Sequence, residues 1–214
     1  LVWIDISTIS PIAAQELARQ AEGVGIDALD APVSGGEQGA GDATLAIMVG
    51  GSRHAYERCL PLLRCLGTTI AHMGGAGAGQ VTKACNQMVV GITIAAVSEA
   101  LVLGSKARID PAQMREVLLG GFAASRVLDL HGRRMLDGNF QPGGRIELHR
   151  KDLDIALAMA REIGAAAPLS ALVLQLMHAA AAAGDGDLDH AALVRVYERL
   201  NRTHLNPAPG RDVV

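Results

Sequence analysis

Half of the 214 residues are hydrophobic but only 2% are aromatic, so the chain can bury a substantial core that must be built from Ala, Val, Leu and Ile. A net charge of −3 shows no basic excess and argues against nucleic acid as the principal partner. Cys59, Cys65 and Cys85 are odd in number and lack metal-ligand spacing, which points to reduced thiols of a cytoplasmic protein. The first residues hold no basic region followed by an apolar run and a small-residue cleavage site, so no signal peptide is read there.

Leu1 to Ile6 (LVWIDI) is of strand type, and Ser10-Pro11 then marks a helix start, because the hydroxyl caps free amides and proline suits the first turn. That helix is predicted to run to Glu22 and stop at Gly23 and Gly25. A strand over Ile26 to Val33 follows, then a glycine-rich loop from Ser34 to Gly41 and a second strand over Thr44 to Val49. A helix from Ser52 to Leu63 and a short strand around Thr68 to His72 complete an α/β block, residues 1–75. Nowhere does this block carry GxGxxG between a first strand and a first helix, so a complete dinucleotide fold is not encoded. The expectation is a C-terminal remnant of a Rossmann-like domain from a longer protein.

Gly74 to Gln87, GGAGAGQVTKACNQ, is the most informative stretch. Its glycines admit backbone conformations that a Cβ forbids and allow another segment or a ligand to come close. A helix then runs from about Gln80 to Ala107, on which Lys83, Asn86 and Gln87 stand at i, i+3 and i+4 and share one face. A lysine near a helix start, by the positive end of the macrodipole and partly desolvated, can have its pKa drawn toward neutrality and so give up and recover a proton. The residues after it are apolar nearly all round, which describes a buried helix; the apolar stretch Met88 to Leu103 is expected to be too short to span a bilayer.

Everything beyond reads helical. Asp110-Pro111 caps one helix, further helices run from about Ala124 to Met135, Glu147 to Ile163 and Pro168 to Ala183, and Asp189 opens the last, to Leu200. Asp137 to Arg145 is a loop by its Gly, Pro and Asn content, and residues 206–214 are expected to be a frayed tail. The domain reading is therefore 1–75 α/β and 76–205 all-helical, built around the one long helix. The seven histidines show neither HxxxH pairing nor carboxylates at ligand spacing, so no metal site is expected.

The segments DISTISP, LDAPVSGGEQGA, GGAGAGQVTKACNQ, GGFAASRVLD and LHRKDL together resemble the β-hydroxyacid dehydrogenases, from about Leu1 to His204. The resemblance implies an NAD- or NADP-dependent reductase of a short carboxylic semialdehyde. Members acting on tartronate semialdehyde look nearest, and those acting on 3-hydroxyisobutyrate, succinic semialdehyde or glyoxylate share most of these words. It further implies Lys83 as general acid/base, Ser34 with the amides of Gly35 and Gly36 as the substrate-carboxylate loop, and Asn86, Gln87 and Asp152 around the substrate. Thr8 and Lys151 match cofactor-contacting positions. Pairing through helices, as a homodimer or homotetramer, is also implied. One departure stands out: reductase-type relatives often carry an aromatic residue two positions after the proline matching Pro142, where this chain has Gly144, and loss of that ring is expected to widen the pocket. The competing reading is a non-catalytic oligomerisation module, since without the pyrophosphate-binding turn cofactor affinity should fall steeply.

Overall fold

A computed structural model describes residues 1–205; the expected frayed tail, 206–214, lies outside the described residues. The chain packs as two units, residues 1–88 with 152–166 and residues 89–151 with 167 onward.

The first unit opens with β1 (Val2–Asp5), α1 (Pro11–Glu22), β2 (Asp27–Asp30) and β3 (Val33–Ser34). It continues with α2 (Gly36–Gly41), β4 (Leu45–Gly51), α3 (Arg53–Leu63) and β5 (Gly67–Gly74). One five-stranded mixed sheet results: β1 lies parallel to β2, both β2 and β3 run antiparallel to β4, and β5 is parallel to β4. Alternation along β4 turns Leu45, Ile47 and Val49 inward, and Ala55, Tyr56, Cys59 and Leu63 of α3 close over them at helical spacing. Val2, Ile4, Val33, Leu60 and Ile70 pack at the margin of this aliphatic core.

Two local expectations are corrected here. The single strand read over 26–33 breaks at Ala31-Pro32, since proline has no N–H to give to a ladder, and the chain resumes as β3. The loop read over 34–41 is only partly a loop: Ser34 completes β3 and Gly36–Gly41 winds into α2, with the turn made at Gly35 (φ 143°). Helix starts fall where the capping residues place them. Ser10 Oγ accepts from Ala13 N–H at 3.1 Å and Ser52 Oγ from Ala55 N–H at 3.1 Å.

The long helix α4 (Ala78–Lys106) belongs to both units, as does α7 below. At 29 residues the whole helix is long and apolar enough to cross a bilayer by length and composition alone, a test that a core helix also passes. It is not buried all round. Ile94, Ala95, Val97, Leu101 and Val102 are buried, while Val81, Cys85, Val89, Ala96 and Leu103 form an exposed, largely apolar stripe.

The second unit adds α5 (Pro111–Leu119), α6 (Arg126–Asp137), α7 (Ile146–Glu162), α8 (Pro168–Ala180) and α9 (Val194–Asn201). Asp110 caps α5 and Ser125 caps α6, whose end is turned by Gly138 in the left-handed region. The alanine-rich helix expected to reach 183 leaves α geometry after Ala180 in a π turn, Ala181–Asp185, and Asp189 caps a 3-10 turn, His190–Leu193, that leads into α9.

Candidate active site

The site in the first unit is built on Asp30, at the end of β2, which sequence reading passed over. Its carboxylate is buried and accepts from the backbone N–H of Gly77 at 2.7 Å and of Gln80 at 2.9 Å, tying the first turn of α4 to the sheet. Burial pushes this carboxyl above its ordinary range, while the amides of Gly77 and Gln80 pull against that. The glycines expected to admit a close approach do so for protein atoms. A Cβ on Gly79 would stand 2.4 Å from Met48 O and 2.7 Å from Asp30 O, so only glycine fits.

One turn further on, Lys83 is 8% exposed, and its Nζ donates to Val33 O at 2.7 Å. The amine therefore reaches the backbone immediately before Ser34. Ser34 itself is half-buried on β3, and Gly35 and Gly36 are exposed at the start of α2. Asn86 Nδ2 donates to Gln87 Oε1 at 2.9 Å, and Gln87 Nε2 donates to Asp152 Oδ2 at 2.6 Å. Asp152 is buried, so a carboxylate 65 positions away in sequence orients the amides that follow the lysine on its helix.

Thr8 lies in the loop after the carboxyl end of β1, and Ser34 follows the carboxyl end of β2; the two strands are parallel neighbours, with Asp5 opposite Asp30. Ligands of open α/β sheets bind beyond such strand ends. Gln80 holds the Thr8 loop, its Oε1 accepting from Ile9 N–H at 3.2 Å and its Nε2 donating to Ser7 O at 2.8 Å. Lys151 is exposed on α7, one residue before Asp152. Lys83 and Ser34 are thus brought together through Val33, and Asn86, Gln87 and Asp152 through a chain of hydrogen bonds.

In the second unit the histidines converge as no sequence spacing announces. His149 Nδ1 lies 3.0 Å from His190 Nδ1, and His190 Nε2 lies 3.2 Å from His131 Nε2. Asp189 closes this row, its Oδ1 3.6 Å from His131 Nδ1. Burial drives the His190 pKa down from 6.5 to about 3, with the neighbouring His149 and His131 adding to the shift, so the ring is neutral at pH 7. Asp189 is held well below the carboxylate range: burial opposes this, but His131, His190 and the amides of Ala191 and Gly143 outweigh it. Donor atoms of His131, Asp189 and His190 lie within 4.8 Å of one another, close enough to hold a cation. Asp189 is already spent, however: Oδ2 takes Arg134 Nη1 at 2.9 Å, Gly143 N–H at 3.0 Å and Gly144 N–H at 3.1 Å, and Oδ1 takes Ala191 N–H at 3.0 Å. Arg134 also adds a positive charge against any metal ion. The cluster therefore reads as a hydrogen-bonded clasp on the 138–146 turn. Gly144 belongs to that clasp; a Cβ there would meet the His190 ring at 3.4 Å, so imidazole and not open space lies on that side.

An α/β unit with candidate binding loops at its strand ends and a buried lysine on the helix that follows, joined to a helical unit, is the frame of a nicotinamide-dependent dehydrogenase. Residues 77–197 match the family profile described as NAD-binding of NADP-dependent 3-hydroxyisobutyrate dehydrogenase, and residues 1–75 match the NAD binding domain of 6-phosphogluconate dehydrogenase. The chain belongs to the β-hydroxyacid dehydrogenase family, whose members are NAD(P)-dependent hydroxyacid dehydrogenases and reductases. It is 49% identical over 197 residues to 2-hydroxy-3-oxopropionate reductase of Escherichia coli, a match covering 92% of this chain and 68% of that protein. Against 3-hydroxyisobutyrate dehydrogenase of Pseudomonas aeruginosa the identity is 39%, covering 91% of this chain and 68% of the relative. Among solved structures, Mycobacterium tuberculosis 3-hydroxyisobutyrate dehydrogenase with L-serine superposes with a TM-score of 0.82 at 36% identity, covering 92% of this chain and 69% of that one. The Salmonella typhimurium 3-hydroxyisobutyrate dehydrogenase superposes at 0.85 with 29% identity, covering 91% and 69%. The chain thus spans about two thirds of the length of these relatives.

Proposed function

We propose that the protein carrying this chain reduces a short carboxylic semialdehyde with NAD(P)H, and that tartronate semialdehyde, giving glycerate, is its substrate. The observation that carries the reading is the buried Lys83 amine, hydrogen-bonded to the residue before Ser34. A bound nicotinamide would supply the hydride for the aldehyde carbon, and in this reading Lys83 gives the proton to the carbonyl oxygen. Ser34, with the amides of Gly35 and Gly36, offers donors to the substrate carboxylate. Asn86 and Gln87, braced by Asp152, orient the substrate or the lysine. The Thr8 loop and Lys151 serve the cofactor. The 49% identity to the Escherichia coli reductase favours tartronate semialdehyde over 3-hydroxyisobutyrate, succinic semialdehyde and glyoxylate.

The exposed apolar stripe of α4 favours self-association, as a homodimer or homotetramer, and the three free cysteines suit a reducing compartment such as the cytoplasm. That stripe also supports the second reading, in which residues 1–214 alone form a non-catalytic association module. Aldehyde-dependent oxidation of NADH and NADPH separates the two: turnover by residues 1–214 defeats the inert module. In the longest natural chain that contains this sequence, Lys83→Ala should lower kcat by about 10²-fold with cofactor affinity little changed. Near-normal turnover of that variant removes Lys83 from the mechanism.

A further inference from the structure

The loop between β1 and α1, residues 6–10, is stabilised locally by Asp5 Oδ1, which accepts from Ser7 N–H at 3.0 Å, and by the Ser10 cap. Two further hydrogen bonds reach it from Gln80, 71 and 73 positions away, and they bracket Thr8: one goes to Ile9 N–H and the other to Ser7 O. Gln80 is 1% exposed, so its own carboxamide has no water to turn to, while the loop groups it holds are part-buried. The two partners also dictate the chemistry required. A backbone N–H needs an acceptor and a backbone carbonyl needs a donor, at one planar group; a carboxamide meets both demands and a carboxylate only one. The Gln80 backbone is itself fixed, because its N–H is one of the two held by Asp30. Gln80 therefore stands three residues before Lys83 on one helix while gripping the loop that carries Thr8.

We propose that Gln80, locked by Asp30, is a positioning residue that sets the height of the Thr8 loop relative to the Lys83 helix, and so governs cofactor binding separately from substrate binding. This rests on the assignment of the Thr8 loop to the cofactor and of Lys83 to proton transfer. The carboxamide touches no reacting group in that scheme and acts through the loop backbone.

The test compares Gln80→Ala and Gln80→Glu with the parent in the longest natural chain containing this sequence. Measured quantities are affinity for NADH and NADPH by fluorescence titration, KM for whichever of the two the parent uses, KM for tartronate semialdehyde, and thermal stability. Both variants should weaken binding of the cofactor that the parent uses and raise its KM, about tenfold for Gln80→Glu and more for Gln80→Ala, which loses both bonds, with the semialdehyde KM within twofold; a tenfold change is about 1.4 kcal/mol. Gln80→Glu keeps size and, as a carboxylate, the bond to Ile9 N–H, but it loses the donor to Ser7 O and brings a negative charge into a buried position next to Asp30, so its melting temperature is read beside the KM ratio. A purely structural role would lower the melting temperature or the active fraction and leave the ratio of the two KM values unchanged, and that result overturns the proposal. A parent protein that binds neither NADH nor NADPH overturns the cofactor assignment beneath it, a distinguishable outcome. If either variant does not fold, Gln80→Met, which keeps the volume and carries neither bond nor charge, decides by the same ratio.

Discussion

Two buried aspartates organise the two units, and they are shifted in opposite directions. Asp30 takes two backbone amides and sits above the ordinary carboxylate range, because burial outweighs what the amides return. Asp189 takes a guanidinium and three amides, with His131 beside it, and lies well below that range. The difference is one of partner number and charge, not of burial, since both are almost fully enclosed. A carboxylate surrounded by donors is a fastener. One held by two amides at a helix start costs more to ionise, and its place beside the Lys83 helix fits geometry that serves a site.

Of the two aspartates, Asp189 carries the larger expected effect. Asp189→Ala strips Arg134 and the Gly143, Gly144 and Ala191 amides of their acceptor in a buried setting, and should cost about 3–5 kcal/mol in urea unfolding. A loss under 1 kcal/mol would show that water replaces the carboxylate. Acid should reveal the same asymmetry next. The unfolded His190 takes up a proton near 6.5 but the folded ring only near 3, so stability falls as pH drops through that window, and the depressed Asp189 extends the loss at still lower pH. Asp30, raised in the folded state, runs the other way and partly offsets that loss. Denaturation midpoints measured between pH 7 and pH 3 should fall steadily; a flat profile removes the histidine row from the stability of the helical unit. Asp30→Ala should cost less than its counterpart, about 1–3 kcal/mol by the same measurement, since two neutral amides lose an acceptor and no charge is stranded. The smallest effect is expected from Ser10→Ala, about 1 kcal/mol for a lost helix cap.

What could be read in advance was what neighbours in sequence decide. Ser10-Pro11, Ser52 and Asp110-Pro111 announce helix starts because a cap needs residues only two or three positions apart. Lys83, Asn86 and Gln87 could be grouped from helical spacing alone, and the family words placed Ser34 and Asp152 near them. The break at Ala31-Pro32 was legible in principle from the proline, whereas the α2 turn in a glycine-rich stretch runs against local propensity. Asp30, Gln80 and the histidine row escaped because their partners lie between 41 and 73 positions away, and only the folded chain makes them neighbours. All-round apolarity of α4 also misled, since composition cannot say which stripe a partner element will leave uncovered.

The β1 strand is bonded to β2 along one side, and among the described residues no other strand lies along its second side. The backbone donors and acceptors that face this second side, with Leu1 and Trp3 exposed beside them, amount to an adhesive rail. Prepared by themselves, residues 1–214 should therefore stick to one another through this margin as concentration rises, and light scattering on dilution would report it independently of any enzymology.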